Sequence, residues 1–344
     1  MNAKRPVPVR SYWSARSGDG VSAVIAHYGE PAMTLELIAD LRSQTYRGEI
    51  EIIVSDDASP IPFPPTEGVM VTRSEVNGGF GTAVNRGSAV ASQPWLLILN
   101  SDVRVATDFI DEFVSRAQTY QPAACGVRSR GRGGYQPTYR SFPKFRSTAA
   151  SYIGLLAQVR RRRPDWLPTE NSDPELDATG PVDWLVGSVL LLPRTLFETV
   201  GGFDERYFMY VEEVDLQYRL RLLGVPSMLI ADLEIDHDAG RSSGGVEVSV
   251  EMLRSRLIYE EKWFGRTRRQ ALRGVLAAGI VLDGVADHAR RVAGRPCCRS
   301  DGPGRDGACR PGANGRDRQL SANDPDRGFS LQGDHRKAAR FCPG

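Results

Sequence analysis

Glu212, Glu213 and Asp215 stand together in the stretch FMYVEEVDLQYRLRLLG (208–224), where an apolar periodicity begins. A helix advancing by about 100° per residue puts Leu216, Leu220 and Leu223 on one stripe. Glu212 and Glu213 then fall on either side of its centre, and Asp215 pairs with Arg219 one turn on. Acids in a first helical turn are favoured by the helix dipole, by tenths of a kcal/mol to about 1 kcal/mol. That explains acids at a helix start, but not acids leaning towards the buried side. A carboxylate facing a partly desolvated cleft is costly unless paired, and its pKa rises into a range that suits a general base. Glu213, Glu212 and Asp215 are therefore candidate catalytic residues, with a solvated helix start as the alternative.

Other acids close strand-like runs. Asp102 follows LLILNS, where a turn-forming Asp is common. A hard cation such as Mg²⁺ or Mn²⁺ also takes one or two carboxylates together with substrate phosphate oxygens, so both readings of Asp102 stand. Asp56 and Asp57, in EIEIIVSDDAS (49–59), either make an Asx-turn or accept hydrogen bonds from a base N–H or a ribose hydroxyl. His237 is one of four histidines; a lone His is more often structural, and it becomes a second metal ligand only if the fold brings it to Asp102. Gly79-x-Gly81 in NGGFG suggests a phosphate cradle, but the dinucleotide fingerprint belongs after the first strand, with an acid about twenty residues on. Here it follows the third strand, which excludes a dehydrogenase.

The elements that must position these residues alternate. VSAVIA (21–26), residues 49–59, VMVTR (69–73) and PWLLILNSD (94–102) read as strands. Between and after them, residues 31–44, 81–92 and 106–118 have helical periodicity. The alternation predicts a parallel, three-layer α/β sheet with its ligand crevice beyond the carboxyl ends of the strands. Ala26-His27-Tyr28, Ser55-Asp56-Asp57 and Asn100-Ser101-Asp102 should converge there. Residues 130–145 read as a mobile loop, and 146–166 as a short amphipathic helix ending in the arginine run Arg160 to Arg163. Residues 227–240 read as a late strand, and 246–292 as two helices.

The chain has 344 residues and a net charge of +2, enough for a large core and too nearly neutral for a dedicated nucleic-acid binder. Residues 1–19 lack an apolar signal-peptide core, and the longest apolar run, 274–286, is too short to span a membrane. The expected compartment is the cytoplasm. Of five cysteines only Cys125 lies before residue 297, so no disulfide framework is expected. Cys297, Cys298 and Cys309 lack the C-x2-C spacing of a zinc site. The sequence divides into an extension (1–19), a catalytic domain (20–245), a helical segment (246–293) and a tail (294–344). The tail is rich in Gly, Arg, Asp and Pro; it reads as disordered and has the look of a shifted reading frame.

In their order and spacing, VIAHYGEP, EIIVSDDAS, NGGFGTAVNRG, LLILNSDV, VDWLVGSVLLLPRTLFETVGGFDERYFMYVEEVDLQYRLRLLG and HDAGRS resemble the family 2 inverting glycosyltransferases. The resemblance is greatest to the rhamnosyltransferase-like branch, which includes bacterial cell-wall rhamnosyl- and galactofuranosyl-transferases, and it covers residues 20–265. It implies a GT-A fold, a Rossmann-like three-layer α/β sandwich with C-terminal helices. It also implies roles at matching positions. His27, Glu30 and Asp56 would hold the nucleotide, flanked with the diphosphate by Gly79, Phe80 and Asn85. Asn100-Ser101-Asp102 occupies the place of the family's D-x-D, whose last Asp grips a metal, and His237 matches its late histidine ligand. Glu213 stands where the family has its catalytic Asp, and Asp183 and Trp184 would lie near the acceptor or donor sugar. Two positions depart from the pattern: Asn100 for Asp, and Glu213 for Asp. The extra methylene of Glu213 carries its carboxylate roughly an ångström further out, so that either the backbone compensates, or Glu212 or Asp215 takes the role, or the enzyme is slow.

The implied reaction is a single in-line displacement on a nucleotide-diphosphate sugar, assisted by Mg²⁺ or Mn²⁺. The expected donor is dTDP-rhamnose, with UDP-galactose, UDP-galactofuranose or UDP-GlcNAc as alternatives. The expected acceptor is a glycan or a polyprenyl-diphosphate-linked sugar in cell-envelope polysaccharide synthesis. The arginine run and the basic C-terminal helix either rest peripherally on an anionic membrane face or are solvated surface. Two rivals are a glycoside hydrolase, which needs no nucleotide crevice, and a sugar-nucleotide-binding protein that has lost catalysis.

Overall fold

The computed structural model describes residues 20–152, 178–237 and 245–293. The arginine run, the N-terminal extension and the tail lie outside the described residues. By compactness the chain divides into two units. The larger holds the described residues up to Phe145 and from 178 to Leu272, and the smaller holds those of 146–152 and 273–293.

In the larger unit the first half alternates as its periodicity predicts: β1 (Val21–His27), α1 (Ala32–Arg42), β2 (Ile50–Asp57), β3 (Val69–Ser74), α2 (Phe80–Ser88), β4 (Trp95–Asn100), β5 (Val103–Arg104) and α3 (Phe109–Gln118). The second half adds β6 (Ala124–Gly131), β7 (Gly134–Gln136), β8 (Tyr139–Arg140), β9 (Gly180–Val182), β10 (Trp184–Leu185) and β11 (Val189–Pro193). The helix α4 (Phe145–Tyr152) starts at the unit boundary; α5 (Arg194–Thr199), α6 (Glu212–Leu222), β12 (Ser227–His237) and α7 (Gly245–Phe264) follow. A last helix, α8 (Arg266–Ala293), runs into the smaller unit.

The main sheet has the order β3-β2-β1-β4-β11-β6-β12-β5. Strands β3, β2, β1 and β4 are parallel. The sheet is mixed rather than wholly parallel, because β11 runs antiparallel to both β4 and β6. The reversal was hidden in the sequence: a short, fully buried strand reads the same in either direction. Residues 130–145 are likewise not one loop, since β7 pairs with β6 and β8 with β10.

Side chains alternate across β4 into two cores. Trp95, Leu97 and Leu99 pack with α1 and α3 through Leu37, Ile38, Phe109 and Phe113. Leu96 and Ile98 face Val84 of α2, Phe197 of α5, and Leu216 and Leu220 of α6. This two-period alternation over helices on both faces is the three-layer arrangement. Register then sets the crevice: His27 lies opposite Asp56, and Ala26 opposite Asn100.

Candidate active site

The carboxyl ends of β1, β2 and β4 open into a cleft of about 370 Å³. The three polar strand ends do converge, through His27 and Tyr28, Asp57, and the run Asn100-Ser101-Asp102. His27 is buried; its Nδ1 lies 2.8 Å from Thr34 Oγ1, while its Nε2 has no hydrogen-bond partner. Burial lowers the His27 pKa, against the opposing charge of Asp56 and a hydrogen bond involving the Gly29 backbone, so the ring is neutral and keeps one nitrogen for a ligand.

The last residues of β12 reach the same cleft. His237 pairs with Val103 in the short antiparallel β12–β5 ladder, which carries its ring to Asp102, with Nε2 at 3.2 Å from Oδ1. Both side chains are nearly buried and line the cleft. No group of three or more His, Cys, Asp or Glu able to hold a metal occurs among the described residues. One carboxylate and one imidazole therefore suit a hard cation that draws its remaining ligands from phosphate oxygens and water, not an enclosed structural site.

Opposite this pair stands the start of α6. Tyr210 and Val211 have φ of 66° and 74°. Left-handed backbone is costly for non-glycine residues, about 1–3 kcal/mol each, and most unusual for β-branched Val. The bend turns Glu212 and Glu213 into the cleft. Each retains one buried carboxylate oxygen, Oε2, without a hydrogen-bond partner. Burial pushes Glu212 well above the ordinary carboxylate range, and the charge of Glu213 pushes it further. Burial also raises Glu213, opposed by its own backbone N–H and by the nearby Arg256 and Arg140 guanidinium groups. Burial thus disfavours ionisation of both carboxylates, and of Glu212 the more strongly.

Glycines fit the walls together. Gly79 Nα donates to Asp57 Oδ2 at 2.7 Å, and a Cβ at Gly79 would stand 1.6 Å from the Phe208 carbonyl oxygen. Gly187 lies against Glu213 and Phe80, within van der Waals reach of a Cβ. On the far side, Gln217 clasps both backbone groups of Leu185 at 2.8 Å, which docks α6 on β10.

Six candidates stand elsewhere. The buried Asp56 carboxylate accepts from the backbone N–H groups of Ser59 (2.9 Å) and Phe63 (3.0 Å) and from Arg73, so it ties the following loop, while neighbouring Asp57 lines the cleft. The strand alternation separates the two aspartates, a distinction that the doublet in sequence conceals. Asn85 pins α2 to the turn before α6, bonding both backbone groups of Phe203 at 2.8 and 2.9 Å. Asp215 is fully buried among Arg219, Lys262, Trp263 and Tyr207, behind the cleft rather than in it. Asp183 accepts from Phe142 N and Arg221, and Trp184 is buried with its Nε1 on the Ser141 carbonyl. Glu30 is exposed beyond the rim. Ser188, whose carbonyl accepts from Asn100 N at 2.9 Å, and Tyr210 also line the cleft; nothing in the sequence marks them, and only the antiparallel β11 and the bend reveal them.

Residues 22–165 match the family described as Glycosyl transferase family 2. A Mycobacterium tuberculosis protein named N-acetylglucosaminyl-diphospho-decaprenol L-rhamnosyltransferase is 30% identical over 282 residues, covering 75% of this chain and 91% of that protein. This chain belongs to glycosyl transferase family 2. The glycosyltransferase is also similar to Rhamnosyltransferase WbbL of Escherichia coli, 27% identical over 163 residues, 44% of this chain and 58% of that one. Among solved structures, Staphylococcus aureus TarS is 14% identical with a TM-score of 0.47, covering 82% of this chain and 76% of that one. As a hexosyltransferase of this family it has the GT-A fold expected from its motifs. No helix among the described residues is long and apolar enough to cross a membrane.

Proposed function

We propose that this glycosyltransferase moves L-rhamnose from dTDP-rhamnose, with inversion, to a hydroxyl of a polyprenyl-diphosphate-linked GlcNAc or related glycan. The observation that carries the chemistry is the pair of buried carboxylates, Glu212 and Glu213, lining the same cleft as Asp102 and His237. The choice of sugar and acceptor is supported by the name of the mycobacterial relative, an N-acetylglucosaminyl-diphospho-decaprenol L-rhamnosyltransferase.

Glu213 takes the proton of the acceptor hydroxyl as its oxygen attacks the anomeric carbon from the face opposite the nucleotide. The new C–O bond forms while the bond to the diphosphate breaks, and the electron pair leaves with the diphosphate. One displacement inverts the anomeric centre. Glu212, with the higher pKa, keeps its proton and leaves Glu213 free to cycle. Tyr28 and His27 bound the nucleotide side, and the backbone at Gly79 lets the chain approach closely. Asp102 and His237 would hold Mg²⁺ or Mn²⁺, which supplies charge neutralisation to the departing diphosphate when bound. A lipid-linked acceptor brings the enzyme to a membrane surface, and exposed Val281 and Leu282 on α8 support peripheral contact there.

The deciding experiment presents dTDP-rhamnose, UDP-galactose, UDP-galactofuranose and UDP-GlcNAc, each with lipid-linked GlcNAc and with or without Mn²⁺, and follows nucleoside diphosphate release. Release of dTDP alone, requiring Mn²⁺ and acceptor, is expected. Release of UDP with dTDP-rhamnose inert overturns the rhamnosyl reading, and tight donor binding without any release overturns catalysis.

A further inference from the structure

Helix α7 presents Ser255, Tyr259, Lys262 and Trp263 at i, i+4, i+7 and i+8, one face of a helix. That face grips the chain on both sides of the Tyr210–Val211 bend. Before the bend, Ser255 Oγ donates to the Met209 carbonyl at 2.8 Å. At the bend, Tyr259 is buried in one aromatic cluster with Val211, Val214, Tyr207 and Trp184. Around it, Lys262 Nζ bridges Asp204 Oδ2 at 2.7 Å and Asp215 Oδ2 at 2.8 Å, and Trp263 Nε1 donates to Asp215 Oδ1 at 2.9 Å. Asp215 completes its set with Arg219 Nε at 2.9 Å. Its own backbone N–H closes the first turn of α6 on the Val211 carbonyl at 2.9 Å.

None of Ser255, Lys262 or Asp215 lines the cleft, yet together they hold fixed a backbone conformation that its own residues disfavour. Glu213 lies between the two grips. We propose that Lys262 is a positioning residue for the transfer: by tying Asp204 to Asp215 it fixes the bend that aims the Glu213 carboxylate at the acceptor hydroxyl. The C-terminal helix α7 is thereby a working part of the active site. This inference rests on Glu213 being the base.

Lys262→Met keeps the length of the stem and removes both ion pairs. A displacement of about 1 Å in a reacting group costs on the order of 10²-fold in rate, so kcat should fall about 10²-fold. The KM for dTDP-rhamnose and the affinity for dTDP should stay within about threefold, because Lys262, Asp204 and Asp215 stand outside the cleft that takes the donor. Lys262→Arg, which can span two carboxylates, should recover most of that loss. Ser255→Ala should lower kcat by about tenfold, having lost one hydrogen bond at the bend. Amide hydrogen exchange over residues 209–215 should accelerate in Lys262→Met whichever sugar the enzyme takes. A folded Lys262→Met with wild-type kcat, or unchanged exchange across the bend, overturns the proposal. If Lys262→Met does not fold, wild-type kcat together with unchanged exchange across the bend in Ser255→Ala overturns it. Equal losses in kcat and donor affinity, tracking a lowered Tm, reduce Lys262 to a stability role and overturn it too. Glu213→Gln in the same panel separates the premises: undiminished turnover there removes the base assignment itself, independently of Lys262.

Discussion

Replacing Glu213 by Gln preserves volume and removes only the ability to take a proton. General-base catalysis by a positioned carboxylate contributes about 10²–10⁴-fold, or about 2.7–5.5 kcal/mol at 1.36 kcal/mol per decade. The loss should appear in kcat, with dTDP affinity unchanged, because the role proposed for Glu213 is towards the acceptor hydroxyl and not the nucleotide. Stability should move the other way. Burial raises the Glu213 pKa above its ordinary 4.5, so the folded chain binds that proton more tightly than the unfolded chain. Stability then falls as pH rises from the ordinary value through the raised one, and the penalty is complete above it. Gln escapes that penalty, so its Tm should equal or exceed the wild-type value at pH 8, and the difference should shrink towards pH 4. The wild-type kcat should decline on the acid side at a pH above 4.5, where the pair takes up its second proton. Steady-state rates and thermal melts across pH 4–9 test both limbs. A Glu213→Gln enzyme turning over within threefold of wild type, or one that melts lower at pH 8, would refute the reasoning.

Three further substitutions probe the walls. Gly79→Ala places a Cβ 1.6 Å from the Phe208 carbonyl at a φ of +85°, so both Tm and activity should drop, with Tm lowered by several degrees in a melt. Asp102→Asn should abolish stimulation by Mn²⁺ and raise the donor KM at least about tenfold, read from rates over a metal titration. Asp56→Asn should destabilise without weakening dTDP binding. Despite burial, hydrogen bonds from Ser59, Phe63 and Arg73 hold Asp56 below its ordinary 3.8. That stabilisation is present above 3.8 and lost as pH falls through the depressed value, so mutant and wild-type melts should converge in acid.

The alternating strands and helices of the first half were legible because parallel strands buried on both faces are apolar runs ending abruptly in polar residues. His27, Asp102 and His237 sit where those endings led, although only the β12–β5 ladder says why His237, 135 residues downstream of Asp102, should meet it. Period alone could not separate Asp56 from Asp57, since both end the same strand and pleating sends them to opposite faces. Nor could it distinguish Asp215 from Glu213: the acids share a first turn, and only the face of α7 packed behind them makes one an anchor. Tyr210 and Val211 were the least legible, because local preference argues against the conformation that they adopt.

The glutamate at position 213 becomes intelligible at the level of packing. A longer side chain than aspartate needs space in the cleft, and the wall beside Glu213 is Gly187. A Cβ at Gly187 would stand 3.5 Å from Glu213 Cβ and 3.7 Å from the Phe80 ring, at ordinary van der Waals distances. The carboxylate also starts from a bend that sets its backbone, so its reach depends on where the bend is held as much as on side-chain length. Glu213→Asp therefore draws the base back by roughly an ångström from a fixed origin. If positioning governs the rate, it should lower kcat by about 10²-fold while leaving the acid limb of the pH profile in place. A kcat equal to or above wild type would mean that the backbone, and not the extra methylene, already sets the distance to the acceptor.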